Sequence, residues 1–141
     1  MATLFELPQL SYVAPNFADI FVDSLRQYGF AAVVDHPLDS HRVERIYQDW
    51  LAFFASEEVS AFTMDPQRQD GYFSLRSAEH AKGFRVRDFK EYFQFYRWGR
   101  CPDTLRPDLE SHFNSTLMLG ATLLGYIAHS LPTSVSERLT E

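Results

Sequence analysis

The stretch Asn16–Leu38, NFADIFVDSLRQYGFAAVVDHPL, decides the fold. Asn16 is a favourable N-cap and Asp19 places a negative charge in the first helical turn. Phe17, Ile20, Phe21, Leu25 and Tyr28 recur at intervals of three and four, so they share one face of a helix. Gly29 stands where a left-handed C-terminal cap is wanted. Phe30-Ala31-Ala32-Val33-Val34 follows at once and is apolar on both alternating faces, which predicts a strand buried between two layers. His36 precedes Pro37, is thereby biased to extended geometry, and ends the strand.

Working outward, Asp39 or Ser40 caps a second helix with apolar positions Val43, Ile46, Tyr47, Trp50, Leu51 and Phe54. Ser56 with Glu57 and Glu58 opens a short third helix to about Thr63. Met64 to Gly83 reads as a polar loop around one short extended piece, Tyr72–Leu75. Phe89 to Trp98 holds six aromatics in ten residues, and its composition and length favour a strand with one buried aromatic face and arginines along the edge. Pro107 at a first helical position opens the last long helix, with Phe113, Leu117, Leu124, Ile127 and Leu131 as its core face and Pro132 as its stop. The sum is an α+β chain, residues 1–141 as a single domain, with three to four helices packed on a few short strands.

Bulk properties agree. The chain has 141 residues, 45% apolar and 16% aromatic, too apolar for a disordered segment. Its net charge of −6 repels phosphate backbones and opposes nucleic-acid binding. Lys82–Arg106 runs against that trend, with Lys82, Arg85, Arg87, Lys90, Arg97, Arg100 and Arg106 facing only Asp88, Glu91 and Asp103. Phe113–Ser136 lacks Asp, Glu, Lys and Arg, yet Asn114, Thr122, His129 and Pro132 would be costly in hydrocarbon, so it reads as a core helix and not a membrane span. No secretory signal opens the chain, and one cysteine, Cys101, excludes an intrachain disulfide. A cytoplasmic location is expected.

Several local motifs, in order and spacing, resemble the N-terminal region of isopenicillin N synthase-like oxygenases. Leu7-Pro8-Gln9-Leu10 is similar to the family's "(I/L)P-x-(I/L)-D" opening, with Ser11 where Asp is usual. Tyr28-Gly29-Phe30 through Asp35-His36-Pro37-Leu38 resembles "GFF-x-(V/L)-x-N-H-G-(I/V)", with Asp35 for Asn and Pro37 for Gly. Phe53–Glu58 resembles "FF-x-L-P-x-E-E-K", with Val59 where Lys is usual, while Gly71-Tyr72 and Lys90–Phe93 match the "GY" and "KE-x-(F/L)" landmarks.

The resemblance implies helices and short strands that pack on a double-stranded β-helix lying later in the chain. That β-helix would hold Fe(II) through an H-x-(D/E)…H triad and leave positions for 2-oxoglutarate and oxygen. Fe(II) and 2-oxoglutarate are thus implied for a full-length relative. Two residues after His36, His41, His80, His112 and His129 stand Leu38, Val43, Lys82, Asn114 and Leu131, none of them a carboxylate. The triad's first half is missing, so no catalytic, metal or cofactor residue is assigned. An accessory domain or truncated form of a dioxygenase-like oxidoreductase is expected, inactive alone, with the β-helix domain as its partner.

The resemblance also places the loop around "GY" at the substrate mouth, which makes Arg68, Tyr72 and Phe73 candidate substrate-binding residues. Against this, Tyr72 and Phe73 could simply pack a strand on the second helix. Other candidates read as structural. His36 and His41 are separated by Pro37 and have nothing to fix both rings on one side. Asp108, Glu110 and His112 suit a surface ion pair. Cys101 lies among arginines that would lower its pKa, without a partner His, and is read as a plain thiol. An alternative function is a non-catalytic interaction module that self-associates or binds a partner through exposed strand edges. A weaker one is a small-ligand binder using the aromatic segment as a pocket.

Overall fold

A computed structural model describes residues 7–75, 83 and 89–139, and these fall into two compact units. Residues 7–38 and 113–139 belong to the first unit, and residues 39–112 to the second.

In the first unit, strand β1 (Gln9–Ser11) pairs in parallel with β2 (Ala32–Val34), Leu10 opposite Val33. Helix α1 (Phe17–Tyr28) is the crossover that a parallel pair needs. Its C-cap is as the sequence suggests: Gly29 has φ 76° and its N–H reaches the Leu25 carbonyl at 3.0 Å. Asn16 occupies the N-cap position but its side chain makes no capping hydrogen bond. The core is Leu10, Phe17, Phe21 and Val22, packed against Leu123, Tyr126 and Ile127. Each such apolar side chain contributes about 1.5–3 kcal/mol by leaving water. Phe17 organises the cluster, with ring centroids 5.0 Å from Tyr12, 5.6 Å from Phe21 and 6.0 Å from Tyr126. Ser24 is buried in the same helix because its hydroxyl donates to the Phe30 carbonyl at 2.7 Å.

Two expectations need correction here. The strand of Phe30–Val34 is shorter, half-exposed throughout, and Phe30 is 71% exposed. Its one strand neighbour among the described residues is β1, so it is not a strand sandwiched between layers. Likewise, on helix α3 (Arg106–His129) the expected core residues Phe113, Leu117 and Leu124 keep much of their surface exposed, while Ile127 packs as expected together with Leu123 and Tyr126. Periodicity shows which positions share a face, and on a helix apolar all round it does not say which face is covered. Pro132 ends that helix and starts α4 (Thr133–Ser136), followed by a 3-10 turn (Glu137–Leu139) that the sequence did not suggest.

The second unit begins with α2 (Ser40–Phe54). Asp39 caps it, accepting from the backbone N–H groups of His41 at 3.0 Å and Arg42 at 3.2 Å. Those hydrogen bonds, Arg42 first, hold the Asp39 carboxyl below its usual pKa against a smaller opposing effect of burial. The buried position on α2 is Phe53, whereas Tyr47 and Leu51 are exposed. At about 100° per residue Phe53, Ile46 and Trp50 share the inner face, Tyr47 falls on its margin and Leu51 lies nearly opposite it. A 3-10 helix (Glu57–Phe62) leads to β3 (Gly71–Phe73), paired antiparallel with β4 (Tyr92–Gln94), Tyr72 opposite Phe93. The core is aromatic: Phe93 lies 4.8 Å from Trp50 and 5.9 Å from Phe53, and Phe53 lies 5.8 Å from Phe62. The long aromatic strand expected over Phe89–Trp98 reduces to three residues. Phe89 is 95% exposed and Trp98 62% exposed.

The fold is α+β, with two two-stranded sheets and no closed barrel among the described residues. None of its helices is long and apolar enough to cross a membrane, among the described residues.

Candidate functional site

The segment Asp65–Phe73, in the second unit, carries all three substrate-binding candidates. Asp65 opens a turn by accepting from the backbone N–H groups of Gln67 at 2.8 Å and Arg68 at 3.2 Å. Gln69 has φ 58° and Gly71 φ 103°, a left-handed path that sets Asp70 pointing inward. Gly71 is required twice over, because a Cβ there would meet the Phe62 carbonyl oxygen at 2.3 Å.

Asp70 anchors the segment. It is fully buried, and its carboxylate accepts from the Arg100 backbone N–H at 2.8 Å, from Arg100 Nε at 3.2 Å and from Arg100 Nη2 at 3.0 Å. Arg68 Nη2 reaches Oδ2, the oxygen that also accepts from the Arg100 backbone N–H, at 3.2 Å. Burial would raise the Asp70 pKa, but the Arg100 backbone and guanidinium hydrogen bonds, with Arg68 behind them, outweigh it and the carboxyl is held below its ordinary value. Arg100 also donates to the carbonyls of Thr63 and Asp70, so one guanidinium ties together three points of the chain.

The sequence candidates are placed as follows. Arg68, whose side chain is 45% exposed, uses Nη2 for Asp70 and for the Trp98 carbonyl at 3.3 Å, and its guanidinium carbon lies 5.9 Å from the Trp98 ring centroid. Tyr72 and Phe73 are adjacent in β3 and therefore point to opposite faces. Tyr72 packs 5.9 Å from Phe54, and its hydroxyl donates to Glu91 Oε2 at 2.5 Å. That hydrogen bond, with burial and the Glu91 charge behind it, pushes the phenol up to about 12. Phe73 is buried and stacked on Tyr92 at 4.6 Å. The three candidates thus face different neighbours, and Arg68 keeps company with Trp98.

Asp70 and Arg100 were not legible as a pair, being 30 residues apart. The signal that existed was an acid lodged between Arg68 and Gly71, with Arg100 in the basic stretch. That stretch is less of a charged surface than its composition suggests, since Arg100 turns inward and Arg106 donates to the Gly99 carbonyl at 2.8 Å and Glu110 at 3.2 Å. Lys82, Arg85 and Arg87 lie outside the described residues.

The remaining candidates behave as framework. Asp108 pairs with Arg45 at 3.4 Å and Arg42 at 3.5 Å. His36 Nδ1 accepts from the Leu38 N–H at 3.3 Å. Cys101 is buried, and burial pushes its thiol up to about 11, overriding the opposing effect of Arg106; the lowering expected from neighbouring arginines does not win. Among the described residues no group of three or more His, Cys, Asp or Glu is placed to hold a metal ion.

Residues 4–113 match a family described as non-haem dioxygenase in morphine synthesis N-terminal. The chain is also similar to a crystal structure described as a "Putative oxygenase" from Shewanella oneidensis, with TM-score 0.82 and 35% identity over 94% of this chain and 46% of that one. It therefore spans a little under half of that protein's length. No curated protein matches it.

Proposed function

The chain belongs to the family of non-haem dioxygenase N-terminal regions, and on that premise we propose that it is the accessory N-terminal domain of an Fe(II)/2-oxoglutarate-dependent, isopenicillin N synthase-like oxidoreductase of the cytoplasm, acting on a small organic molecule. The observation that carries this reading is the likeness to less than half of an oxygenase chain, at 35% identity. Iron and 2-oxoglutarate would be held by a β-helix domain outside these residues, since the described ones offer no ligand set. When bound there, they would supply the oxidising chemistry. What these residues contribute is a scaffold and one wall of the substrate entrance, with Arg68 and Tyr72 toward substrate and Phe73 packing the strand behind them.

The test is a longer protein that includes residues 1–141, assayed for succinate formed from 2-oxoglutarate. Substrate-dependent succinate is expected, and R68A is expected to raise KM about tenfold while leaving kcat within about twofold. Succinate formation that no added small molecule stimulates, or an unchanged KM in R68A, counts against the reading.

A second reading, a non-catalytic module that self-associates, is favoured by the exposed Phe89 and Leu117 and by sheets of only two strands each among the described residues. Light scattering separates the two, because that reading requires dimers or larger species that grow with concentration.

A further inference from the structure

Arg68 is held at one corner only. Nη2 is occupied by Asp70 and by the Trp98 carbonyl, while Nε and Nη1 have no partner among the described residues. The anchor is stiff, because Asp70 is fully buried and fixed by Arg100 from both backbone and side chain. Beside it stands an aromatic shelf. Tyr96 and Trp98 are stacked at 4.6 Å with their planes 12° apart, and the Trp98 residue leaves 62% of its surface open. A large indole left open on a soluble surface is uncommon unless something covers it, and Trp, Tyr and Arg together are the composition of binding hot spots.

Each part selects a different piece of a ligand. The indole, stacked on Tyr96 and with Arg68 over its ring, still leaves most of its apolar surface exposed to a ligand ring. The preset guanidinium offers N–H donors to an anion, and because Asp70 is shared by Arg68 and Arg100 the cluster keeps a net positive charge. Because Nη2 is spent, both bidentate edges of the guanidinium are broken, and a small planar anion received through Nη1 or Nε fits better than a phosphate cluster. We propose that Arg68, Trp98 and Tyr96 form a recognition site for an aromatic carboxylate, with Asp70 as the positioning residue that presets Arg68. This deepens the substrate-wall reading above and rests on it. It moves the aromatic contact from Tyr72 to Trp98.

The test needs no catalysis. In the nitrogen-15-labelled chain the two indole N–H signals belong to Trp50 and Trp98, and W98F assigns them. Benzoate is expected to move the Trp98 signal saturably, with Kd on the order of 1 mM, as suits so small a ligand. Acetate (the charge alone) and benzyl alcohol (the ring alone) are each expected to bind at least about fivefold more weakly. R68A is expected to weaken benzoate at least about fivefold. An unmoved Trp50 signal in R68A shows that the fold survives. Benzyl alcohol equal to benzoate, an R68A titration like the parent's, or no movement at all overturns the proposal. Each of those outcomes is independent of whether a longer protein makes succinate, so failure here and failure of the oxygenase reading are told apart.

Discussion

Removing the Asp70 carboxylate should be among the most damaging single changes in the second unit. Asp70→Ala strands the Arg100 guanidinium and leaves the Arg100 backbone N–H without the acceptor it has at 2.8 Å. Breaking a buried ion pair by deleting one partner costs about 3–5 kcal/mol. The Arg100 side chain keeps 32% of its surface in water, which offsets part of that loss, and the 45%-exposed Arg68 pairing adds little. The expected destabilisation is therefore near the lower bound, about 3 kcal/mol. With a urea slope of about 2 kcal/mol/M the unfolding midpoint should fall by roughly 1.5 M. Asp70→Asn keeps an acceptor but loses the charge, and about half that effect is expected. The pH dependence carries a definite sign. The folded carboxyl titrates below its unfolded value of 3.8, so its stabilisation is fully present above that pH and is lost as pH falls through the lower folded value. The gap between the parent and Asp70→Asn should then be constant from pH 5 to 7 and narrow below about pH 4. Urea unfolding followed by circular dichroism measures both. A midpoint shift under roughly 0.5 M for Asp70→Ala, or a gap that widens in acid, would refute the anchoring role.

Two further outcomes follow from the same region. Gly71→Ala puts a Cβ 2.3 Å from the Phe62 carbonyl oxygen at φ 103°, so a loss of at least about 2 kcal/mol is expected from urea denaturation. Cys101, with its thiol pushed up to about 11, should react with a thiolate-specific reagent at pH 8 at least about 100-fold more slowly in the native chain than in urea, as a spectrophotometric thiol assay would show.

How much of this was legible depended on the range of the interaction. Helix α1 could be read almost residue by residue, because Gly29 and the apolar spacing act within a few positions. The start of α2 followed from Asp39, whose acceptor reaches N–H groups two and three residues on. Strand β1 was invisible as a strand, since three residues carry too little pattern and its partner β2 lies beyond a whole helix. Leu117 and Leu124 were misread for a different reason: sequence marks a face as apolar, and only the fold says how far it is covered. At the candidate site, the resemblance drew attention to the loop around Gly71-Tyr72, yet the pleat sends Tyr72 and Phe73 apart. The Asp70–Arg100 clamp depends on a contact between segments that no local motif encodes.

The most direct measurement is an anaerobic titration of this chain with Fe(II) in the presence of 2-oxoglutarate, followed by calorimetry and by the charge-transfer absorption of the ternary complex. With no three-ligand cluster among its described residues, neither saturable heat nor an absorption band is expected. A stoichiometric, micromolar complex would show that these residues build an iron centre of their own and would contradict their assignment as scaffold.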